Sequence, residues 1–101
     1  MNILLVCACG SSTSILMQNM RDNLRDEEKD WSVEALSISE AKTKFSKYDC
    51  VLLAPQVKFQ TAMVKELCKN IPEIKILNIP AIDFGRCNGS AVLDMVREAM
   101  E

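Results

Sequence analysis

Two unbroken apolar stretches stand out along the chain. They are Ile3-Leu4-Leu5-Val6, ending at Cys7, and Cys50-Val51-Leu52-Leu53-Ala54, ended by Pro55. Continuous runs of this length predict strands covered on both faces. Elsewhere the apolar positions are periodic. Ile15, Leu16, Met20 and Leu24 recur at helical spacing before the charged stretch Arg25 to Asp30. Trp31, Val33 and Ala35 alternate with Ser32 and Glu34, which predicts a strand with one exposed side. Ser39 offers an N-cap to a short helix over Glu40 to Lys47. Met63, Val64, Leu67, Cys68 and Ile71 mark one face of a helix that stops before Pro72. Ile74, Ile76 and Asn78 predict a fourth, mixed strand, and Val92, Leu93, Val96 and Met100 line a last helix entered through Asn88-Gly89-Ser90.

Four strand–helix units in alternation predict an α/β fold whose parallel sheet has helices on both faces. The two continuous strands, first and third, belong in the middle and the two mixed strands at the edges. Right-handed crossovers then give the order 2-1-3-4. The topological switch falls between strands one and three, where ligands bind in the crevice at the carboxyl ends. Cys7 lies in that crevice, faced by the loop after Ala54.

Composition narrows the class. The chain has 101 residues, 49% of them hydrophobic, which suits one domain over residues 1–101 with a real core. Its 12 basic and 14 acidic residues leave a formal charge of -2, and only 5% of residues are aromatic. Neither feature suits nucleic acid, nor does the charge suit an anionic membrane. The first apolar run is too short for a signal peptide or a membrane span. Five cysteines read as reduced thiols of a cytosolic protein. There is no histidine and no second matching cysteine pair to complete a Cys-x-Cys metal site at Cys7 and Cys9, and no metal or other cofactor is expected.

The chemistry concentrates at Cys7-Ala8-Cys9-Gly10-Ser11-Ser12-Thr13-Ser14. By position alone, Cys7 reads as readily as a small buried hydrophobe closing a central strand. The loop shifts that balance: Gly10 tolerates backbone conformations that other residues avoid, and the residues after it carry hydroxyls without bulk. A small-residue loop leading from a strand tip into a helix turns backbone N–H groups toward an anion. Such surroundings favour a thiolate, which is the nucleophilic form. A cysteine phosphatase of the low-molecular-weight type places an arginine six residues after its cysteine to clamp phosphate. Thr13 holds that position here, so the cradle is present and the clamp is missing. A thiophosphate formed at Cys7 is therefore expected to resist water and wait for another acceptor.

The same residues resemble the phosphocysteine loop of the IIB components of the bacterial sugar phosphotransferase system (PTS), lactose/cellobiose type. That loop reads Cys, two small residues, Gly, one variable residue, then Ser-Thr-Ser. The likeness continues at Pro55-Gln56-Val57, at Ile82-Asp83 and at Asn88-Gly89, and spans essentially the whole chain. Cys9 and Ser11 depart from it, standing where alanine and a larger apolar residue are usual. The resemblance implies a phosphotransferase in which Cys7 accepts a phosphoryl group from a phosphohistidine on a cytosolic IIA protein. Cys7 would pass the group to a sugar held by the membrane-embedded IIC permease, with residues 8 through 14 holding the phosphate. It also implies a cytoplasmic protein that docks at the membrane through the permease without inserting.

Two other classes stay open on the residues alone. One is a small phosphatase with a degenerate loop. The other is a non-catalytic regulatory domain of the same shape, against which the retention of Cys7 and the lack of a fused segment both weigh. Cys9 is either a tolerated small residue or an oxidisable neighbour of Cys7. Cys50 and Cys68 read as core packing, Cys87 as loop filler and Asp83 as a turn or cap. Gln56 reads as an exposed loop residue. The methionines at 17, 20, 63, 95 and 100 recur at helical spacings as packing residues, and Arg21, Lys58 and Arg86 are charges near element ends.

Overall fold

The order in which the strands pair follows their apolar content. The computed structural model describes residues 1–8 and 11–101, apart from the side chains of Ser11 and Ser12. Strands β1 (Asn2–Cys7), β2 (Ser32–Ser37), β3 (Cys50–Leu53) and β4 (Lys75–Asn78) form one parallel sheet in the order β2-β1-β3-β4. That is the expected 2-1-3-4. Residues 3 to 6 and 50 to 53 are completely buried, as a central position demands.

Helices α1 (Ser11–Asp22) and α5 (Gly89–Ala99) cover one face of the sheet. Ile3, Leu5, Cys50 and Leu52 meet Leu16, Met20, Val92, Leu93 and Val96 there. On the other face Leu4, Val6, Val51 and Leu53 pack against Ala41 of α2 (Ile38–Ala41), Phe45, Val57 and Val64 of α3 (Thr61–Leu67). The pleat sends alternate residues of each central strand to opposite faces, so one short strand serves both cores. A fifth short helix, α4 (Ala81–Gly85), lies between β4 and α5.

Several local expectations are corrected. The cap of α2 is Ser37, not Ser39. The Ser37 hydroxyl accepts from the Glu40 amide at 3.2 Å, and the Glu40 carboxylate accepts from the Ser37 amide at 3.2 Å, which is a capping box. The expected helix to Lys47 is two pieces, with a 3-10 turn over Phe45–Lys47. Ile15 and Leu67 do not share the buried faces: they are 59% and 45% exposed, while Leu16, Met20, Val64 and Cys68 carry the packing. Met100 is exposed at the end of α5.

The stretch Arg25 to Asp30 is not simply solvated. Glu28 is 4% exposed and meets Arg97 of α5 through two bonds, Nη2 to Oε1 at 2.7 Å and Nε to Oε2 at 2.8 Å. The Arg25 amide adds a third, 3.0 Å from Oε1. The Arg97 guanidinium and this amide hold the Glu28 carboxyl down at about 2, against the opposing effect of burial. Arg21, at the far end of α1 from Cys7, donates to the Val33 carbonyl on the open edge of β2. It serves the sheet edge and stands about 15 Å along the helix from Ser11.

Candidate functional site

Cys7 ends β1 between both neighbours. It is in register with Ser37 of β2, and the preceding Val6 carbonyl accepts from the Ala54 amide at 2.9 Å, just past β3. The sulfur therefore lies at the carboxyl end of the sheet, where the chain order reverses. Its side chain is 2% exposed.

The chain leaves β1 through Ala8, an exposed residue, and enters α1 at Ser11. Thr13, in the first turn of α1, is completely buried, and its Oγ1 is 3.1 Å from Cys7 Sγ. Thr13 reaches inward from the helix while Ser14, the next residue, is exposed. Cys7 also faces the Leu36 carbonyl oxygen at 3.8 Å, a distance at which the thiol hydrogen donates. Sulfur thus has an acceptor on the β2 side and a hydroxyl on the α1 side. When the thiol proton leaves, the bond from sulfur to the Leu36 carbonyl goes with it, and the Thr13 hydroxyl can turn its hydrogen onto the anion.

The helix contributes a field as well. The first turn of α1 contains no acidic residue of its own to offset the positive end of its dipole, which lies beside the sulfur. Of the residues expected to form the loop, Cys7, Ala8, Thr13 and Ser14 are thus placed at one end of the sheet. Ser11 and Ser12 belong to α1, and the expectations for their side chains, for Cys9 and for Gly10 lie outside the described residues.

The other cysteines are differently situated. Cys50 is completely buried, and burial together with Asp49 pushes its thiol up to about 12. Cys68 is 3% exposed, and burial raises its thiol too. Both are core packing, as expected. Cys87 adopts a left-handed backbone with φ of 50° after α4, and its carbonyl accepts from the Asn19 side chain at 2.7 Å. Its backbone joins the α4 end to α1. Asp83 lies within α4, a helix that had not been anticipated, and its carbonyl accepts from the Asn88 amide at 2.9 Å. Gln56 is exposed in a 3-10 turn over Pro55–Gln60 that follows β3. Among the described residues no three cysteine, aspartate or glutamate side chains converge to hold a metal ion. Among the same residues no helix is long and apolar enough to cross a membrane.

The resemblance counts Thr13 among the phosphate-holding residues, but its direct contact with the sulfur was not foreseen. Thr13 was singled out because it stands where a phosphatase has arginine, but its burial against Cys7 is a consequence of helix phase. With Leu16 and Met20 facing the core, Thr13 falls on the same stripe at i-3. That stripe was readable in the apolar periodicity.

Comparison with known proteins points one way. Residues 2–95 match the family described as the PTS system, lactose/cellobiose specific IIB subunit. The cellobiose-specific EIIB component of Lactococcus lactis subsp. lactis (strain IL1403) is 33% identical, covering 97% of this chain and 94% of its own. The galactose-specific EIIB component of Lactococcus lactis subsp. cremoris (strain MG1363) is 32% identical over the same shares of the two chains. In fold, the lactose-specific IIB domain of Streptococcus pneumoniae superposes with a TM-score of 0.86 at 18% identity, covering 100% of this chain and 98% of that one. A family match over nearly the full length, together with the shared four-stranded sheet, makes this chain a lactose/cellobiose-type IIB subunit of the PTS, a phosphotransferase component of sugar transport.

Proposed function

We propose that Cys7 is the phosphoryl acceptor of this subunit. Its thiolate attacks the phosphorus of a phosphohistidine on a IIA protein. The S–P bond forms as the P–N bond breaks, and the imidazole nitrogen keeps the electron pair. A sugar hydroxyl bound in the IIC permease then attacks the same phosphorus and displaces the sulfur. The observation that carries this reading is the 3.1 Å approach of Thr13 Oγ1 to Cys7 Sγ at the start of a helix whose first turn holds no acidic residue. A hydroxyl donor and a helix N-terminus on one side of the sulfur stabilise negative charge there in both the thiolate and the phosphorylated states.

Ala8, Cys9, Gly10, Ser11, Ser12, Thr13 and Ser14 form the phosphate-holding loop in this proposal, with backbone amides and hydroxyls as the donors. The work is cytoplasmic, at the inner face of the membrane where the permease presents its sugar, and needs no cofactor. The sugar belongs to the cellobiose, chitobiose and lactose class. The relatives named above carry cellobiose-, galactose- and lactose-specific descriptions, which fits a subunit that handles phosphorus and leaves sugar choice to its permease.

Incubation with phosphoenolpyruvate, the general carriers and a IIA protein tests the proposal by intact mass. Wild type should gain one phosphoryl group, and Cys7→Ser none. A Cys7→Ser protein that gains the same group contradicts the assignment.

A further inference from the structure

We infer that the flank of β2 carries a second ligand site, a pocket for a small phosphorylated sugar, with Lys44 and Lys47 taking the phosphate and Glu34 a sugar hydroxyl. The pocket has a volume of about 290 Å³ and lies between β2 and the segment leading from α2 into β3. That is the foot of the range for small-molecule sites and suits a ligand the size of a monosaccharide. Its walls are set without a ligand. Tyr48 is 7% exposed, and its hydroxyl donates to Glu34 Oε2 at 2.8 Å, which holds that carboxylate in place. The Asn2 side chain is fixed at both ends: it donates to the Lys47 carbonyl at 3.0 Å and accepts from the Ser32 hydroxyl at 2.8 Å.

The charges lining the pocket do not cancel. Lys44 is half-buried and Lys47 exposed, and neither forms a salt bridge among the described residues. The neighbouring acids are engaged elsewhere. Asp49 accepts from the Asn2 amide at 2.8 Å, and Glu40, which feels the charge of Lys44, bonds Ser37. One carboxylate thus stands against two ammonium groups, a balance that favours an anion. Glu34 narrows the choice. Its Oε2 accepts from Tyr48, while Oε1 forms no hydrogen bond among the described residues. That oxygen accepts an O–H and repels a second negative charge, so it selects a ligand with a hydroxyl beside its phosphate. Leu36 gives the C–H groups of a sugar ring an apolar wall. The transfer proposed above makes compounds of this class, but the binding chemistry does not depend on that reading.

Amide chemical shifts followed by NMR during titration with glucose 6-phosphate test the inference. Saturable shifts are expected at Glu34, Leu36, Lys44, Lys47 and Tyr48, with inorganic phosphate and glucose each binding about tenfold more weakly or worse. The Lys44→Met/Lys47→Met variant, its amide spectrum otherwise that of a folded chain, should lose the response. Glu34→Gln should weaken glucose 6-phosphate severalfold without weakening inorganic phosphate, and Cys7→Ser should bind like wild type. No saturable shift at millimolar ligand overturns the inference, as does equal binding of inorganic phosphate or unchanged affinity in the double lysine variant. A response that moves to the residues around Cys7 and disappears in Cys7→Ser also overturns it. Loss of phosphoryl acceptance by Cys7→Ser is a separate result, so the two readings fail independently.

Discussion

At the residue scale, one hydroxyl and one missing side chain carry distinct constraints. Thr13 is completely buried and its hydroxyl faces the sulfur, so Thr13→Val keeps the volume and removes the donor. Hydrogen bonds to charged groups contribute about 1.5–3 kcal/mol. The variant should therefore accept phosphate from IIA about tenfold more slowly or worse. Stopped-quench labelling measures it. Gly89 carries a different constraint: a Cβ there would lie 2.5 Å from the Asn19 carbonyl carbon and from the Met20 amide nitrogen. Both are backbone atoms of α1 and cannot swing aside. Gly89→Ala should cost about 1–3 kcal/mol by forcing α5 off α1, visible as a lowered Tm without loss of Cys7 phosphorylation. The role of Gly89 was legible only as a helix entry. The close approach is a tertiary fact that no local pattern carries.

At the element scale, the buried Glu28–Arg97 pair ties the turn after α1 to α5, with Asp94 2.8 Å from the same guanidinium. Glu28→Ala removes the buried partner of a guanidinium that is 15% exposed and leaves it only the exposed Asp94 among the described residues, so about 3 kcal/mol of destabilisation, the low end for breaking a buried pair, is expected. The sign with pH follows from the depressed carboxyl. Glu28 titrates at about 2 when folded against an ordinary 4.5, so its contribution is complete above 4.5 and is lost as pH falls toward 2. Urea midpoints measured at pH 7 and pH 3 should converge between wild type and Glu28→Ala; an equal gap at both pH values would count against the pair. Charge pattern alone marks this segment only as a charged stretch after the helix, because ion pairing across 69 residues leaves no local trace. The α2 cap was different. Ser37-Ile38-Ser39-Glu40 contains a serine three residues before a glutamate, the capping-box spacing. The local signal for Ser37 was therefore present, and the nearer serine was the wrong choice.

At the scale of the whole molecule, sheet order was legible because burial on both faces leaves a compositional mark. Only β1 and β3 are apolar at every position past the first residue of β1, and only central strands need that. The end of the sheet that acts was legible too, since parallel order fixes where the crevice lies. What the chain order could not convey is which exposed residues surround it, because helix phase and loop length decide that. The same architecture separates a transfer protein from a hydrolase. Thr13, buried, stands where a phosphatase has the arginine that clamps the transition state of hydrolysis. Turnover of p-nitrophenyl phosphate should be indistinguishable from buffer, and sustained turnover abolished by Cys7→Ser would contradict that.

The most direct measurement locates the phosphorus. Trypsin releases residues 1–21 of the chain as one peptide containing Cys7, Cys9 and every hydroxyl of the loop. Fragmentation of that peptide from freshly phosphorylated protein should place the single phosphoryl group on the Cys7 sulfur. A group found instead on a serine, on Thr13 or on Cys9 would contradict the account.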